Sequence, residues 1–464
     1  MIPVIALIGR PNVGKSTLFN ALTRSRDAIV HDEPGLTRDR QYGMGKVGPK
    51  KFIVVDTGGL SGEQQSLDDL MARQTLLALE EADIVLFLVD AKAGVTAGDE
   101  VIADMVRRSG KPTTVVVNKI DGVSPEQAEA DFYALGFADM ALVAASQRKG
   151  VNALVEQVLK DYEQEPDEQP TENEGPQIAI IGRPNVGKST LINRLVGEER
   201  VVAYDQPGTT RDSIAVPFER HGKHYTLIDT AGVRRRGKVS EAIEKFSVIK
   251  TLEAIDRANV VVLVVDARDG ITDQDLTLLG YVLDAGRALA IAVNKWDGLE
   301  PEQRDYNKRE LQRRLSFASF ANVHFISALH GTGVGDVMKS IDQAYASAFR
   351  QFQTRYLTDL LEEAVFRHSP PLHHGRRIKL RYAHQGGKNP PIIVIHGSQT
   401  EHLNKAYQRY LMSFFIDRLK LKGTPVRIEF KKGENPYAGK RNKLNKRQLS
   451  KKQRMMKFVK KKRK

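Results

Sequence analysis

The sequence predicts an α/β protein made of two doubly wound domains with mainly parallel sheets, followed by a small α+β domain. Three observations predict it. The block "IGRPNVGKSTL" occurs twice without a change, at Ile8–Leu18 and Ile181–Leu191, an offset of 173 residues. In both copies apolar runs of strand length alternate with segments of helical length. From about Phe349 that alternation gives way to a helix, two strands, a helix and a strand. A period this long signals duplicated domains, since solenoid repeats are far shorter.

In the first copy the strand runs are "VIALIG", "FIVVD", "DIVLFLVD" and "TTVVVNK". In the second they are "QIAIIG", "YTLID", "NVVVLVVD" and "LAIAVNK". These runs are apolar on both faces, so helices must cover both, as in parallel sheets. An open sheet of this kind binds its ligand at the carboxyl ends of the strands. The repeat continues downstream. Pro34, Gly35, Thr37, Arg38 and Asp39 recur as Pro207, Gly208, Thr210, Arg211 and Asp212, and Asp56-Thr57 as Asp229-Thr230. The offset becomes 176 where "NKID" meets "NKWD", the drift expected of insertions in surface loops.

Between the copies, Glu163–Pro176 holds six acids, three prolines and no base. Such a segment buries too little to repay its ordering entropy, so a flexible linker is expected. The C-terminal unit reads as a helix "FQTRYLTDLLEEAVFRH", strands "RIKLRYAH" and "IIVIHG", a helix "TEHLNKAYQRYLMSFFIDRLKL" and a strand "VRIEFKK". Expected boundaries are 1–162, linker 163–176, 177–348, 349–436 and a basic tail 437–464.

The 464 residues suffice for about three domains with their own cores, at 41% hydrophobic content. There is no cysteine, which excludes a disulfide framework, a thiolate metal site and a thiol nucleophile. The N-terminus "MIPVIALIGR" lacks a basic signal-peptide region, and no apolar run approaches the ~20 residues of a membrane span. A soluble, cytoplasmic protein is expected. Net charge is +14, but Lys431–Lys464 alone holds 16 Lys/Arg against one acid, Glu434. A near-neutral body with a basic end points to a polyanion partner, nucleic acid first. The tail lacks a broad apolar face, which disfavours membrane anchoring. A merely solvated tail is the bland alternative.

The chemistry is concentrated in the repeated motifs. Gly9, Arg10, Pro11, Asn12, Val13, Gly14, Lys15 and Ser16, and again Gly182, Arg183, Pro184, Asn185, Val186, Gly187, Lys188 and Ser189, match G-x-x-x-x-G-K-[ST]. Each follows an apolar strand and opens a helix, so backbone N–H groups and the helix dipole can cradle phosphates. Lys15 and Lys188 would reach the β- and γ-phosphates, and Ser16 and Ser189 would bind Mg²⁺. At the next strand ends lie Asp56, Thr57, Gly58, Gly59 and Leu60, and Asp229, Thr230, Ala231, Gly232 and Val233. Asp56 and Asp229 would hold Mg²⁺ through water, and Gly59 and Gly232 would offer an N–H to the γ-phosphate. Base choice falls to Asn118, Lys119, Ile120 and Asp121, and to Asn294, Lys295, Trp296 and Asp297. A carboxylate there accepts two hydrogen bonds from guanine, whereas adenine would leave it unpaired. GTP is therefore favoured over ATP.

On these motifs the chain resembles the bacterial ribosome-assembly GTPases called Der or EngA, with tandem Era-like G domains and a C-terminal KH-like domain. The resemblance covers nearly the whole chain. It implies two P-loop NTPase (G) domains, hydrolysis of GTP to GDP and phosphate, and a role in large-subunit maturation with ribosomal RNA as partner. It also implies a monomer, and Thr37 and Thr210 as switch magnesium ligands and catalytic residues beside Lys15 and Lys188. One departure is Ala144-Ala145, which replaces the Ser327-Ala328 of the second copy. Weaker guanine recognition is expected at the first site. A second departure from the C-terminal pattern is the missing G-x-x-G loop: "HQGGKNPP" is not one. Competing readings are a GTPase of tRNA modification, which would need a further catalytic domain, and a structural RNA binder with relic G domains.

Leu60 and Val233 stand where a water-orienting glutamine often sits. Two readings follow from the residues: binding switches with little hydrolysis, or catalysis by the remaining charges, since phosphoryl transfer depends mainly on positioning and electrostatics. The resemblance adds a potassium ion held partly by Asn12 and Asn185, residues that as turn formers need no ion. After Val233 the copies diverge. Arg234, Arg235, Arg236 and Lys238 in the second copy are either a solvated face or a nucleotide-dependent contact to RNA or the C-terminal domain.

Overall fold

The computed structural model describes residues 2–24, 41–57, 75–162, 175–197, 215–228, 248–373 and 375–432. Thr37, Thr210, Gly58 to Leu60, Asp229 to Val233, the Arg234–Arg236 run with Lys238, residues 163–174 and the basic tail lie outside them. The chain divides into two units: Met1–Phe349 with Leu421–Pro425, and Arg350–Lys420 with Val426–Lys464.

The first unit holds two six-stranded sheets. One contains β1 (Val4–Ile8), β2 (Gln41–Met44), β3 (Ile53–Asp56), β4 (Ile84–Asp90), β5 (Thr113–Asn118) and β6 (Asp139–Leu142), in the order β2-β3-β1-β4-β5-β6. The other contains β7 (Gln177–Ile181), β8 (Val216–Arg220), β9 (Lys223–Ile228), β10 (Val260–Asp266), β11 (Ala288–Asn294) and β12 (Asn322–Phe325), in the order β12-β11-β10-β7-β9-β8. All neighbours run parallel except β2 against β3 and β8 against β9.

Strand periodicity explains the cores. Ile5 and Leu7 enter one apolar cluster while Ala6 and Ile8 enter another on the opposite face. Ile178 and Ala179 divide the same way. Every residue of β10 and β11 is buried. At about 1.5–3 kcal/mol for each fully buried Val, Leu or Ile side chain, these strands have no stable alternative to the middle of the sheet. β2, β6, β8 and β12 were not legible as strands, because short, half-polar edge strands leave little periodicity. The β8–β9 hairpin turns at His221 and Gly222, both at positive φ (49° and 75°), as a tight two-residue turn requires.

The second unit has the expected helix–strand–strand–helix–strand order. Its helices are Thr354–Arg367 and Lys405–Arg418, the latter capped by Asn404, which accepts from the Tyr407 N–H at 2.8 Å. The strands are β15 (Lys379–Gly387), β16 (Ile392–Ser398) and β17 (Arg427–Lys432), preceded by an unforeseen small hairpin, β13 (Leu372–His373) with β14 (Arg376–Arg377). β16 pairs antiparallel to β15 and parallel to β17. Among the described residues no helix is long and apolar enough to cross a membrane.

Candidate nucleotide sites

Each phosphate loop joins a buried strand to a helix and is shaped by its glycines. Gly14 (φ 101°) stands at the N-cap of the helix Lys15–Thr23. A Cβ there would collide with Asn118 Nδ2, and one on Gly9 (φ 154°) with the Leu88 carbonyl oxygen. Gly187 and Gly182 meet Asn294 and Val264 in the same way. Glycine is thus required twice over, by φ and by close approach. No side chain caps the first helix, so its leading N–H groups stay available to an anion.

Lys15 is buried and donates to the carbonyls of Gly9 (2.7 Å) and Arg10 (2.8 Å). Burial pushes its ammonium below the usual value, against the attraction of Asp56. A cation held by neutral carbonyls keeps an unmet demand for negative charge, which a phosphate supplies. Lys188 donates likewise to the Arg183 carbonyl at 2.8 Å. The Ser16 hydroxyl donates to Asp56 Oδ2 at 2.8 Å, with Asp56 buried and Ser16 exposed. A hydroxyl beside one carboxylate fits Mg²⁺, which takes one or two protein ligands and completes its shell with water and phosphate. The described residues hold no cluster of three or more His, Cys, Asp or Glu side chains suited to a metal. Thr57 ties the end of β3 to β1 by donating to the Leu7 carbonyl at 2.9 Å. Ser189 is exposed in the first turn of the helix Lys188–Gly197.

The base motif is bolted to the phosphate loop. Asn118, buried at the end of β5, donates to the Val13 carbonyl (2.9 Å) and accepts from the Ala145 N–H (3.1 Å). Asn294 repeats this with Val186 (2.8 Å) and Ala328 (2.9 Å). Lys119 donates to the Asn12 carbonyl and to Asp90, both at 2.7 Å. Lys295 does so to Asn185 (2.8 Å) and Asp266 (2.5 Å). Asn12 and Asn185 are exposed and left-handed, φ 65° and 62°. The variable position differs between copies. Ile120 and Trp296 each pack on an apolar cluster, but Trp296 also meets Phe325 at 4.2 Å in a tilted contact, with Arg304 and Lys308 over its ring. Asp297 is 45% exposed and held below the usual carboxylate range, first by a hydrogen bond from the Ser327 hydroxyl. Alanine at position 144 removes that hydroxyl from the first site, where Asp121 is half-buried.

A family model described as "50S ribosome-binding GTPase" matches residues 4–119 and 177–295, and one for the KH-like C-terminal domain of EngA bacterial GTPase enzymes matches 351–431. The chain is 60% identical over 464 residues to GTPase Der of Hahella chejuensis, covering 99% of this chain and 98% of that protein. This chain belongs to the GTPase Der family. It is also 62% identical to GTPase Der of Thioalkalivibrio sulfidiphilus over the full length of both. Among solved structures, Aquifex aeolicus Era bound to GDP and AlF4⁻ is 20% identical, covering 56% of this chain and 93% of that one, with a TM-score of 0.30. The Der-family assignment makes the protein a GTPase with two G domains and a KH-like domain.

Two supports of these Der-family sites were not foreseen. Arg10 Nε donates to the fully buried Asp99 at 2.7 Å, and Arg183 Nε to Asp275 at 3.1 Å, with a further bond to Asp269. Both aspartates also close capping boxes, with Thr96 and Thr272. Each phosphate loop is thereby moored to a distant helix, Ala97–Ser109 in the first copy and Asp273–Ala285 in the second. The signal was present: "TAGD" and "TDQD" are T-x-x-D caps repeated at the 176-residue offset. The second support is Asp90 and Asp266. Burial opposes the charge on Asp90, yet the bond from Lys119 and backbone N–H groups hold it below the usual carboxylate range. A cavity of about 540 Å³ lined by Arg268, Ile271, Tyr306 and Arg314 lies on the second G domain and contains none of the phosphate-loop residues.

Proposed function

We propose that this Der-family GTPase acts in assembly and maturation of the large ribosomal subunit, the nucleotide state of its two G domains controlling ribosomal RNA binding. The observation that carries the reading is the duplication. Two phosphate-and-base sites are built alike, bond for bond at Asn118 and Asn294, on a chain whose far end is strongly basic. The description of the matching family, a 50S ribosome-binding GTPase, supports the same partner.

In this reading Lys15 and Lys188 neutralise phosphate charge. Ser16 with Asp56, and Ser189 with Asp229, hold Mg²⁺, and Thr37 and Thr210 add the switch hydroxyls. Mg²⁺ stabilises charge developing on the transferred phosphoryl group. Gly59 and Gly232 sense the γ-phosphate through their N–H groups. Leu60 and Val233 orient no water, so turnover is slow without assistance, and potassium at Asn12 and Asn185 supplies part of it. The left-handed backbone of these asparagines already accounts for their residue type, so the potassium role needs its own test. The domain boundaries of the sequence reading stand as part of this proposal, as do a monomeric state and a cytoplasmic location.

The test is cosedimentation with large ribosomal subunits in GTP, in GDP and without nucleotide, using wild type, Lys15→Ala and Lys188→Ala. Binding should depend on nucleotide, and each substitution should remove part of that dependence. Equal wild-type binding in all three conditions overturns the proposal.

A further inference from the structure

The KH-like unit lacks a G-x-x-G loop anywhere from Arg350 onward, so the usual backbone clamp on single strands has no seat there. We propose that unpaired RNA bases bind instead on the sheet face built by Tyr382, His384 and His396, with the Tyr382 ring as the stacking platform and Arg381 and Lys431 on the phosphates. This rests on the RNA-docking reading above and names the site that performs it.

Register assigns the residues to their faces. Ala383 lies opposite Ile395 and Gln385 opposite Ile393, and of these Ala383, Ile393 and Ile395 are fully buried. The alternate positions project to the other face. There Tyr382 pairs with His396 and His384 with Val394, while the parallel pairing sets Lys431 beside His396 and Glu429 beside Val394. The rings form one cluster, with Tyr382 and His384 6.3 Å apart. Tyr382 and His396 stack at 4.4 Å with an interplanar angle of 6°, and His384 lies 5.1 Å from His396. β15 is an edge strand, and the His396 partner sits on the inner strand, so the other side of the Tyr382 ring looks past the sheet edge. Tyr382 as a residue is 43% exposed.

Cross-strand ring pairs stabilise a sheet by about 0.5–1.5 kcal/mol, which explains the stack but not its exposed end. The surroundings select the ligand. A register shift between Leu380 and Tyr382 leaves Arg381 in a bulge, exposed next to the ring. Lys379 and Lys431 are exposed on the ring face and Glu429 is its one acid among these, so cations outnumber the acid. Desolvation first, then the neighbouring His384 and Lys431, hold His396 below its usual range. From Lys431 the chain runs into 16 Lys/Arg against one acid. An exposed ring flanked by cations is how sequence-tolerant single-strand binders hold a base and its phosphate. A protein partner would instead call for an apolar anchor pocket.

The test uses the full-length chain in GTP and a short unstructured RNA oligonucleotide, read by fluorescence anisotropy, beside the same RNA carrying internal abasic sites. Tyr382→Ala should weaken binding to the intact RNA about tenfold, the size of one base–aromatic stack, and Tyr382→Phe should retain it. Wild type should bind abasic RNA as weakly as Tyr382→Ala does, and Tyr382→Ala should not distinguish the two RNAs. Arg381→Ala should lower the salt slope by about one, which Tyr382→Ala should leave alone. Equal binding of intact RNA by wild type and Tyr382→Ala overturns the inference. So does an equal loss on intact and abasic RNA, or photocrosslinking from position 382 to a ribosomal protein in place of RNA. In those cases subunit cosedimentation that still depends on nucleotide leaves the proposed function standing, so the two failures are distinguishable.

Discussion

Asn294 offers the sharpest test of how a site is held together. It is 3% exposed and spans two loops, donating to the Val186 carbonyl at 2.8 Å and accepting from the Ala328 N–H at 2.9 Å. Asn294→Ala leaves a buried acceptor and a buried donor without partners. Each omission costs about 1–3 kcal/mol, so the second G domain should lose roughly 2–4 kcal/mol after relaxation. With a urea dependence of about 2 kcal/mol/M, its unfolding midpoint should fall by about 1–2 M. The assay is built into the chain: the single tryptophan, Trp296, lies two residues away, within the second G domain. Guanine-nucleotide affinity at the second site should fall at least about tenfold, because the phosphate loop and the base loop lose their shared strut. Asn118→Ala should do the same to the first site and leave the Trp296 transition in place. An Asn294→Ala protein with wild-type midpoint and affinity would falsify the strut argument.

Three further outcomes are expected. Lys15→Met should abolish nucleotide binding at the first site without lowering stability, since it removes a cation that burial disfavours; a denaturation curve and a fluorescent-nucleotide titration check both halves. The sign with pH follows: the folded-state pKa lies below 10.5, so the unfolded chain binds more protons in that window, stability rises with pH across it, and Lys15→Met should lose that slope. GTP hydrolysis should run faster in potassium than in sodium at matched ionic strength, and equal rates remove Asn12 and Asn185 from catalysis. Deleting Lys440–Lys464 should weaken ribosome binding and flatten its salt dependence, as lost phosphate contacts do; unchanged binding and slope reject an RNA role for the tail.

The sequence alone determined what contiguous residues can encode. β10 and β11 are apolar at every position but the last, Asp266 and Asn294, so they could only be central strands. Gly14, Lys15 and Ser16 announce a phosphate loop because backbone freedom, charge and hydroxyl are all needed within one turn of chain. The duplication was legible for the same reason, as was the repeated Asn-Lys-x-Asp motif at the ends of β5 and β11. The tertiary structure decided what depends on closure across distance. Asn118 reaches Val13 across 105 residues, Arg10 reaches Asp99 across 89, and no local period marks either pair. Edge strands such as β2 and β8 exist because a neighbour offers free hydrogen-bonding groups, whatever their own weak pattern. The ring cluster of Tyr382, His384 and His396 appears only when two strands pair in one register. A one-residue slip would turn Tyr382 or His396 to the opposite face, so that surface belongs to the pairing and not to the chain.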